Sequence, residues 1–156
     1  MSTYQPTLLT PPADLKHLAT LRLPWSSPPL SGNDAAPASK GAMYARAAKV
    51  REVRQTARLL GKRVTMPVGA GYLVVQLHYR PRDRRRRDTD NLWSVLKPLA
   101  DGLVDAGLVA DDVPGLMGKP EPIIWPAVRG GGSGLWLDLW CAECAPFPYS
   151  NLRKQA

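Results

Sequence analysis

A run of residues that is apolar on both of its alternating faces belongs in the middle of a sheet. Gly71–Tyr79 (Gly-Tyr-Leu-Val-Val-Gln-Leu-His-Tyr) is such a run, and it predicts a central strand. Leu73, Val75, Leu77 and Tyr79 face one way, while Tyr72, Val74, Gln76 and His78 face the other. His78 reads as a strand histidine with an ordinary hydrogen bond rather than as a ligand.

Other elements are placed around this strand. Lys16–Leu23 alternates partially and stops at Pro24, which predicts a first strand. Ser26–Gly41, rich in proline, glycine and small polar residues, is a long loop, and such loops are more often functional or mobile than idle. Met43, Ala47, Val50, Ala57 and Leu60 mark one face of a helix that Gly61 stops. Leu92, Val95, Leu96, Leu99 and Leu103 repeat at helical spacing, predicting a second helix from about Asp90 to Ala106 with Gly107 as its stop. Pro98 falls inside that pattern and removes the backbone bond to Ser94, so a kink or a fresh helical segment is expected there. Two strands follow, Pro122–Val128 and Leu135–Cys141, joined by the turn Gly130–Gly134. The order β-α-β-α-β-β predicts an α+β domain with two main helices on a small mixed sheet. It is expected over residues 16–145, between flexible tails at 1–15 and 146–156.

Composition narrows the partner. With 44% hydrophobic and 22% charged residues, the chain is neither disordered nor a membrane span. Its first residues lack a basic start and apolar block, so a cytoplasmic protein is expected. A net charge of +8, with 14 Arg against 7 Lys, favours a polyanion, because each neutralised phosphate releases a condensed counterion. The first helix presents Arg46, Lys49, Arg51, Arg54 and Arg58, with only Glu52 opposing them. A face of nearly one sign suits phosphate contact, with Arg46, Lys49 and Arg54 as candidates. Cys141 and Cys144 form a lone C-x-x-C, far in sequence from His17 and His78, and read as two ordinary thiols.

The chemistry is concentrated in Asp-Arg-Arg-Arg-Arg-Asp-Thr-Asp-Asn-Leu at 83–92, between the central strand and the second helix. Asp88 and Asp90 are two residues apart, so in an extended segment their carboxylates leave the same side of the chain. The helix start that follows favours ionised carboxylates. Mg²⁺ takes oxygen ligands and commonly only a few protein carboxylates, the rest being water and phosphate. Asp111 and Asp112 offer a further acidic pair, provided the chain turns back after Gly107. Lys97 lies on the face of Asp90 at i+7, roughly 10 Å along the axis, and its side chain leans toward the helix start. There it could stabilise charge on a phosphate oxygen. The simpler alternative is that Asp88 and Asp90 cap the helix and that the arginines are solvated. Asp101 and Asp105 read as surface charges, Asp101 within reach of Lys97 at i+4.

At these residues the chain resembles the RusA family of Holliday-junction resolvases. The match is Asp-Arg-Arg-Arg-Arg-Asp-x-Asp-Asn-Leu at 83–92, Lys97-x-x-x-Asp101-Gly-Leu, Asp105-Ala-Gly-Leu, and Asp111-Asp112. The family lysine follows the second aspartate by four residues, where this chain has Ser94; Lys97 is its counterpart if three residues are inserted in the helix. The resemblance implies an endonuclease dependent on Mg²⁺, with Mn²⁺ as a substitute, acting on four-way or other branched DNA as a homodimer. It also implies that Asp88, Asp90 and Asp112 hold the metal, with Asp111 in reserve for the third place, and that Lys97 is the catalytic lysine. Arg84, Arg85, Arg86 and Arg87 would grip flanking phosphates. No small-molecule cofactor and no membrane association are expected.

Overall fold

The computed structural model describes residues 15–31 and 39–145. The expected tails, Leu15 apart, and the middle of the Ser26–Gly41 loop lie outside the described residues. The architecture is α+β, with one mixed five-stranded sheet and two helices. In chain order these are β1 (Lys16–Arg22), α1 (Lys40–Gly61), β2 (Tyr72–Arg80), α2 (Trp93–Asp105), β3 (Met117–Gly118), β4 (Ile123–Ile124) and β5 (Gly134–Ala142). Among the described residues, no helix is long and apolar enough to cross a membrane.

β2 is the central strand its composition predicts. β5 runs antiparallel to it on one side, and β1 lies antiparallel to β5 beyond. On its other side β2 pairs in parallel with β3 and, further along, with β4. Leu73, Val75, Leu77 and Tyr79 join Leu135, Leu137 and Leu139 of β5 in a core that also takes Val53 and Ala57 of α1 and Val95, Leu96, Leu99 and Leu103 of α2. The helices therefore cover one face of the sheet. On the opposite face Tyr72 and Val74 form a smaller cluster with Ala145, bordered by Trp140.

The first helix starts earlier than its apolar pattern suggests. Ser39 is its N-cap, and its hydroxyl accepts from the Ala42 N–H at 3.1 Å. Val53, fully buried, is the contact the apolar stripe missed, whereas Met43 at the predicted face is 57% exposed. Residues 40–45 of the helix are all exposed, so spacing alone overestimates how much of it packs.

The second helix opens with a 3-10 turn, Thr89–Leu92, and continues as one α-helix with Pro98 inside it, so no new segment begins at Pro98. Pro98 is buried, as are its helix neighbours Leu96 and Leu99. Gly107 ends the helix at a positive φ of 87°. Its N–H donates to the Val104 carbonyl at 2.9 Å and the Leu108 N–H to Leu103 at 3.4 Å, a C-terminal turn that reverses the chain toward Asp111 and Asp112.

The C-terminal strands differ from the sequence expectation. Pro122–Val128 contributes only Ile123–Ile124, and Met117–Gly118 adds a short strand that no pattern announced. Pro120, Pro122 and Pro126 flank the pair and cannot donate to a ladder, which limits β4 to two residues. Nor do β4 and β5 form a hairpin around Gly130–Gly134, because β2 lies between them.

Candidate functional site

The segment after β2 is organised by one arginine. Arg87 donates to the Asp83 carboxylate at 2.7 Å, to the Asp83 carbonyl at 3.1 Å and to the Arg85 carbonyl at 3.0 Å. Its guanidinium also sits 5.9 Å from the centre of the Tyr79 ring. The Arg85 N–H, followed by Arg87, holds the Asp83 carboxyl below its ordinary pKa. Winding the loop around Arg87 leaves Arg84, Arg85 and Arg86 exposed. Of the four candidate phosphate contacts in this run, Arg87 is thus also the brace of the loop.

Asp88 stands at the N-cap position of the 3-10 turn with extended backbone (φ −106°, ψ 142°), yet its side chain makes no capping hydrogen bond. Asp88 and Asp90 are both exposed, with the half-buried Thr89 between them. The capping alternative therefore does not describe Asp88. The alternation that would put both carboxylates on one side also fails, because Thr89–Leu92 is a tight turn rather than extended chain.

At the other end of α2 the acidic pair returns to the helix. Lys97 Nζ donates to Asp112 Oδ2 at 2.8 Å and to Asp101 Oδ1 at 2.9 Å, so the i+4 pairing with Asp101 is present. Lys119 adds a second ammonium to Asp112 Oδ2 at 3.1 Å. With two lysines donating to it, the Asp112 carboxyl is held at about 2, and the Lys97 ammonium is raised by its bonds to Asp112 and then Asp101. Asp111 turns instead to its own chain, its carboxylate accepting the Asp112 N–H at 2.8 Å. Lys97 thus reaches forward to Asp101 and Asp112 rather than back toward Asp88 and Asp90.

The two acidic segments are connected through residues 119–121. Lys119 holds Asp112, Glu121 accepts from the Thr89 hydroxyl, and the Glu121 carbonyl accepts from Gln76 Nε2 at 2.7 Å. Lys119 and Glu121 escaped the sequence reading because they belong to no motif; only their charge beside Pro120 and Pro122 marked them. Among the described residues no group of three or more His, Cys, Asp or Glu side chains is gathered closely enough to hold a metal ion. The donor chemistry nonetheless suits a hard cation. Asp88 and Asp90 are exposed carboxylates at a helix start, and one or two such ligands are what Mg²⁺ commonly takes. Asp112 would have to exchange a lysine for the cation.

The basic face of α1 is partly engaged. Arg54 makes a forked contact with Asp105 of α2 at 2.6 and 2.8 Å, so Asp105 ties the two helices together rather than standing as an idle surface charge. Lys49 pairs with Glu52 at 3.3 Å, while Arg46 borders a shallow apolar depression with Met43, Ala47 and Val50.

On the far face of the sheet, His17 and His78, distant in sequence, both approach Asp138. His17 Nε2 is 3.2 Å from Asp138 Oδ1 and His78 Nε2 is 3.0 Å from Oδ2, the latter out of line for a hydrogen bond. The Trp125 indole donates to His78 Nδ1 at 3.0 Å, the ordinary bond its sequence position predicts. Cys141 is buried, Cys144 exposed, and both are free thiols. Compared with known proteins, the chain matches no family model and no curated sequence.

Proposed function

We propose that this chain is a divalent-metal-dependent endodeoxyribonuclease of the RusA type, resolving Holliday junctions in DNA recombination and repair. The observation that supports this most is the return of Asp112 to Lys97, which folds the segment beyond α2 back onto that helix, the 3-10 turn before it carrying Asp88 as N-cap and Asp90 in its first turn. Asp88 and Asp90 would hold Mg²⁺ or Mn²⁺, and Asp112 would complete the set only by giving up a lysine and closing on them, since the three are not gathered in this structure. Such an ion, when bound, supplies Lewis acidity and a water acidic enough to attack at neutral pH.

The chain's own residues do the rest. Arg84, Arg85 and Arg86 hold phosphates flanking the scissile bond, and the charge of α1 extends that contact. Lys97, now on Asp112 and Asp101, would have to turn to a phosphate oxygen to stabilise the charge that develops there. A twofold-symmetric homodimer suits a four-way junction, since two sites can cut two strands in a related geometry. Such an enzyme would work in the cytoplasm, with forks, flaps or other branched DNA as the alternative substrate to the four-way junction.

A second reading, a basic protein that binds DNA without cutting it, is favoured by one observation. The Asp112 carboxylate is already neutralised by Lys97 and Lys119. Cleavage of a synthetic four-way junction in Mg²⁺, with EDTA as control, separates the two. Asp90→Asn abolishes cutting and leaves binding intact if the first holds. Undiminished cleavage by that variant defeats the metal assignment, and binding without any cleavage in Mg²⁺ or Mn²⁺ establishes the second reading. Relative rates on junction, fork, flap and plain duplex then fix the preferred substrate.

A further inference from the structure

The end of the sheet from which the Asp83–Arg87 loop leaves carries a second concave surface, separate from the aspartates. It is a cleft of about 370 Å³ whose walls include Arg22, Trp25, Arg80, Ser133 and Trp136. The strand register builds it. Arg22, Trp136 and His78 are neighbours across β1, β5 and β2, and Arg80 lies opposite Gly134. Gly134 presents no side chain, and a Cβ there would meet only the Trp25 carbonyl oxygen, at 3.9 Å.

Its chemistry is that of a receptor for an anion with an aromatic part. No acidic residue lines the cleft, and among the described residues neither Arg22 nor Arg80 has a carboxylate partner. The Arg80 guanidinium is held instead against the rings of Trp136 and Trp125, 5.6 and 6.0 Å from their centres. Its Nε–H is buried without an acceptor, an arrangement that is unfavourable until an acceptor is supplied or the side chain turns toward one. Across the Gly130–Gly134 loop a second depression, about 640 Å³, is edged by Arg82, Arg84 and Arg129. Positive charge therefore continues from the cleft to the basic run beside Asp88.

The Trp136 ring is stacked on His78, 5.1 Å away, so only its cleft-lining part is open beside Trp25. We infer that this cleft seats one unpaired nucleotide of a DNA strand, its base against Trp25 and that part of Trp136 and its phosphate at Arg22 and Arg80. Aromatic faces interleaved with arginine are what holds single-stranded nucleic acid, whereas a paired base in duplex offers no free face to an indole. The volume matches one small ligand, and the arginines across the loop give the neighbouring phosphates somewhere to lie. The inference rests on the proposed DNA substrate and deepens it. It makes the unstacked base at a branch point, rather than the duplex arms, the feature recognised.

The test is fluorescence anisotropy of the full chain with a labelled short oligothymidylate, in EDTA and over a range of salt. Arg22→Ala weakens binding and lowers the slope of log affinity against log salt by about 0.7, one single-strand phosphate contact. Trp25→Ala weakens binding roughly fivefold or more at unchanged slope. Gly134→Val, which fills the cleft without removing charge, acts as Trp25→Ala does, and its melting temperature verifies the fold. Wild-type affinity in both Arg22→Ala and Trp25→Ala overturns the inference, as does tighter binding of an oligouridylate than of the oligothymidylate. Junction cleavage in Mg²⁺ is assayed separately. Variant-sensitive oligonucleotide binding without cleavage defeats the nuclease reading and leaves the cleft. Cleavage with variant-insensitive binding does the reverse.

Discussion

Lys97 and Asp112 are fifteen residues apart on either side of the turn that ends α2, and the lysine donates to the carboxylate at 2.8 Å. Together with Lys119 it holds Asp112 at about 2, below the ordinary 3.8. Lys97→Met removes the larger of the two contributions, so the Asp112 pKa rises toward 3.8, as carboxyl-carbon NMR would read. A depressed carboxyl stabilises the fold above its unfolded pKa and loses that contribution as pH falls through the folded value. The variant therefore loses less stability than the wild type on acidification below pH 3.8. If Lys97 also stabilises charge on the phosphate, junction cleavage falls by about 10²- to 10³-fold in the same variant. A normal cleavage rate beside a shifted Asp112 leaves Lys97 a purely structural partner.

Arg85 and Arg87 are neighbours but one in sequence and differ in what they touch. The side chain of Arg85 is 85% exposed and that of Arg87 24%. If the chain binds DNA as proposed, Arg85→Ala is expected to lower the salt slope of duplex-arm binding by about 0.9, one released counterion, with no change in melting temperature. Arg87→Ala removes three hydrogen bonds that wind the loop from Asp83. Amide exchange at Asp83–Asp90 then accelerates, and, if the proposed nuclease reading holds, cleavage suffers more than binding. Equal effects of the two substitutions on salt slope and exchange would contradict this division of roles.

The parts of this molecule that were legible in its sequence are those governed by local periodicity. Gly71–Tyr79 announced the central strand, Leu92–Leu103 the second helix, and Gly107 its stop, because burial on known faces leaves a mark every two or three to four residues. β3 and β4 left no such mark. Two residues of parallel pairing in a proline-rich stretch are set by β2, not by their own pattern. The Asp88-x-Asp90 spacing located the acidic segment but misjudged its shape, since a tight turn replaces the extended chain. Lys119, Glu121 and the meeting of His17 and His78 at Asp138 depend on tertiary approach over long separations, which spacing cannot carry.

Gly102 marks the closest approach of the two helices. A Cβ there would overlap the Arg54 carbonyl oxygen and lie 2.7 Å from the Ala57 Cβ and 3.0 Å from the Arg58 nitrogen. Backbone of α1 cannot withdraw without parting Val53 and Ala57 from the core. Gly102→Ala is expected to destabilise the fold by about 1–3 kcal/mol despite the better helix propensity of alanine. Arg54→Ala, which removes only the exposed contact to Asp105, has a clearly smaller effect on the denaturation midpoint. The reverse order would mean that the ion pair, not the close packing, holds α1 to α2.

His78 offers a test on the opposite face of the sheet. Burial lowers its pKa below 6.5, outweighing the opposing pull of Asp138, and the Trp125 indole occupies Nδ1 as donor. Protonation would add a second donor at Nδ1, facing the indole N–H, so the neutral ring is the one the fold accommodates. The unfolded chain then binds a proton that the folded chain resists. Stability from this group is complete above pH 6.5 and is lost as pH falls from there toward the folded value. His78→Gln keeps an acceptor for Trp125 and cannot titrate, so its melting temperature varies less with pH over that window than the wild type's. Identical pH profiles for the two proteins would show that His78 titrates as freely in the fold as outside it.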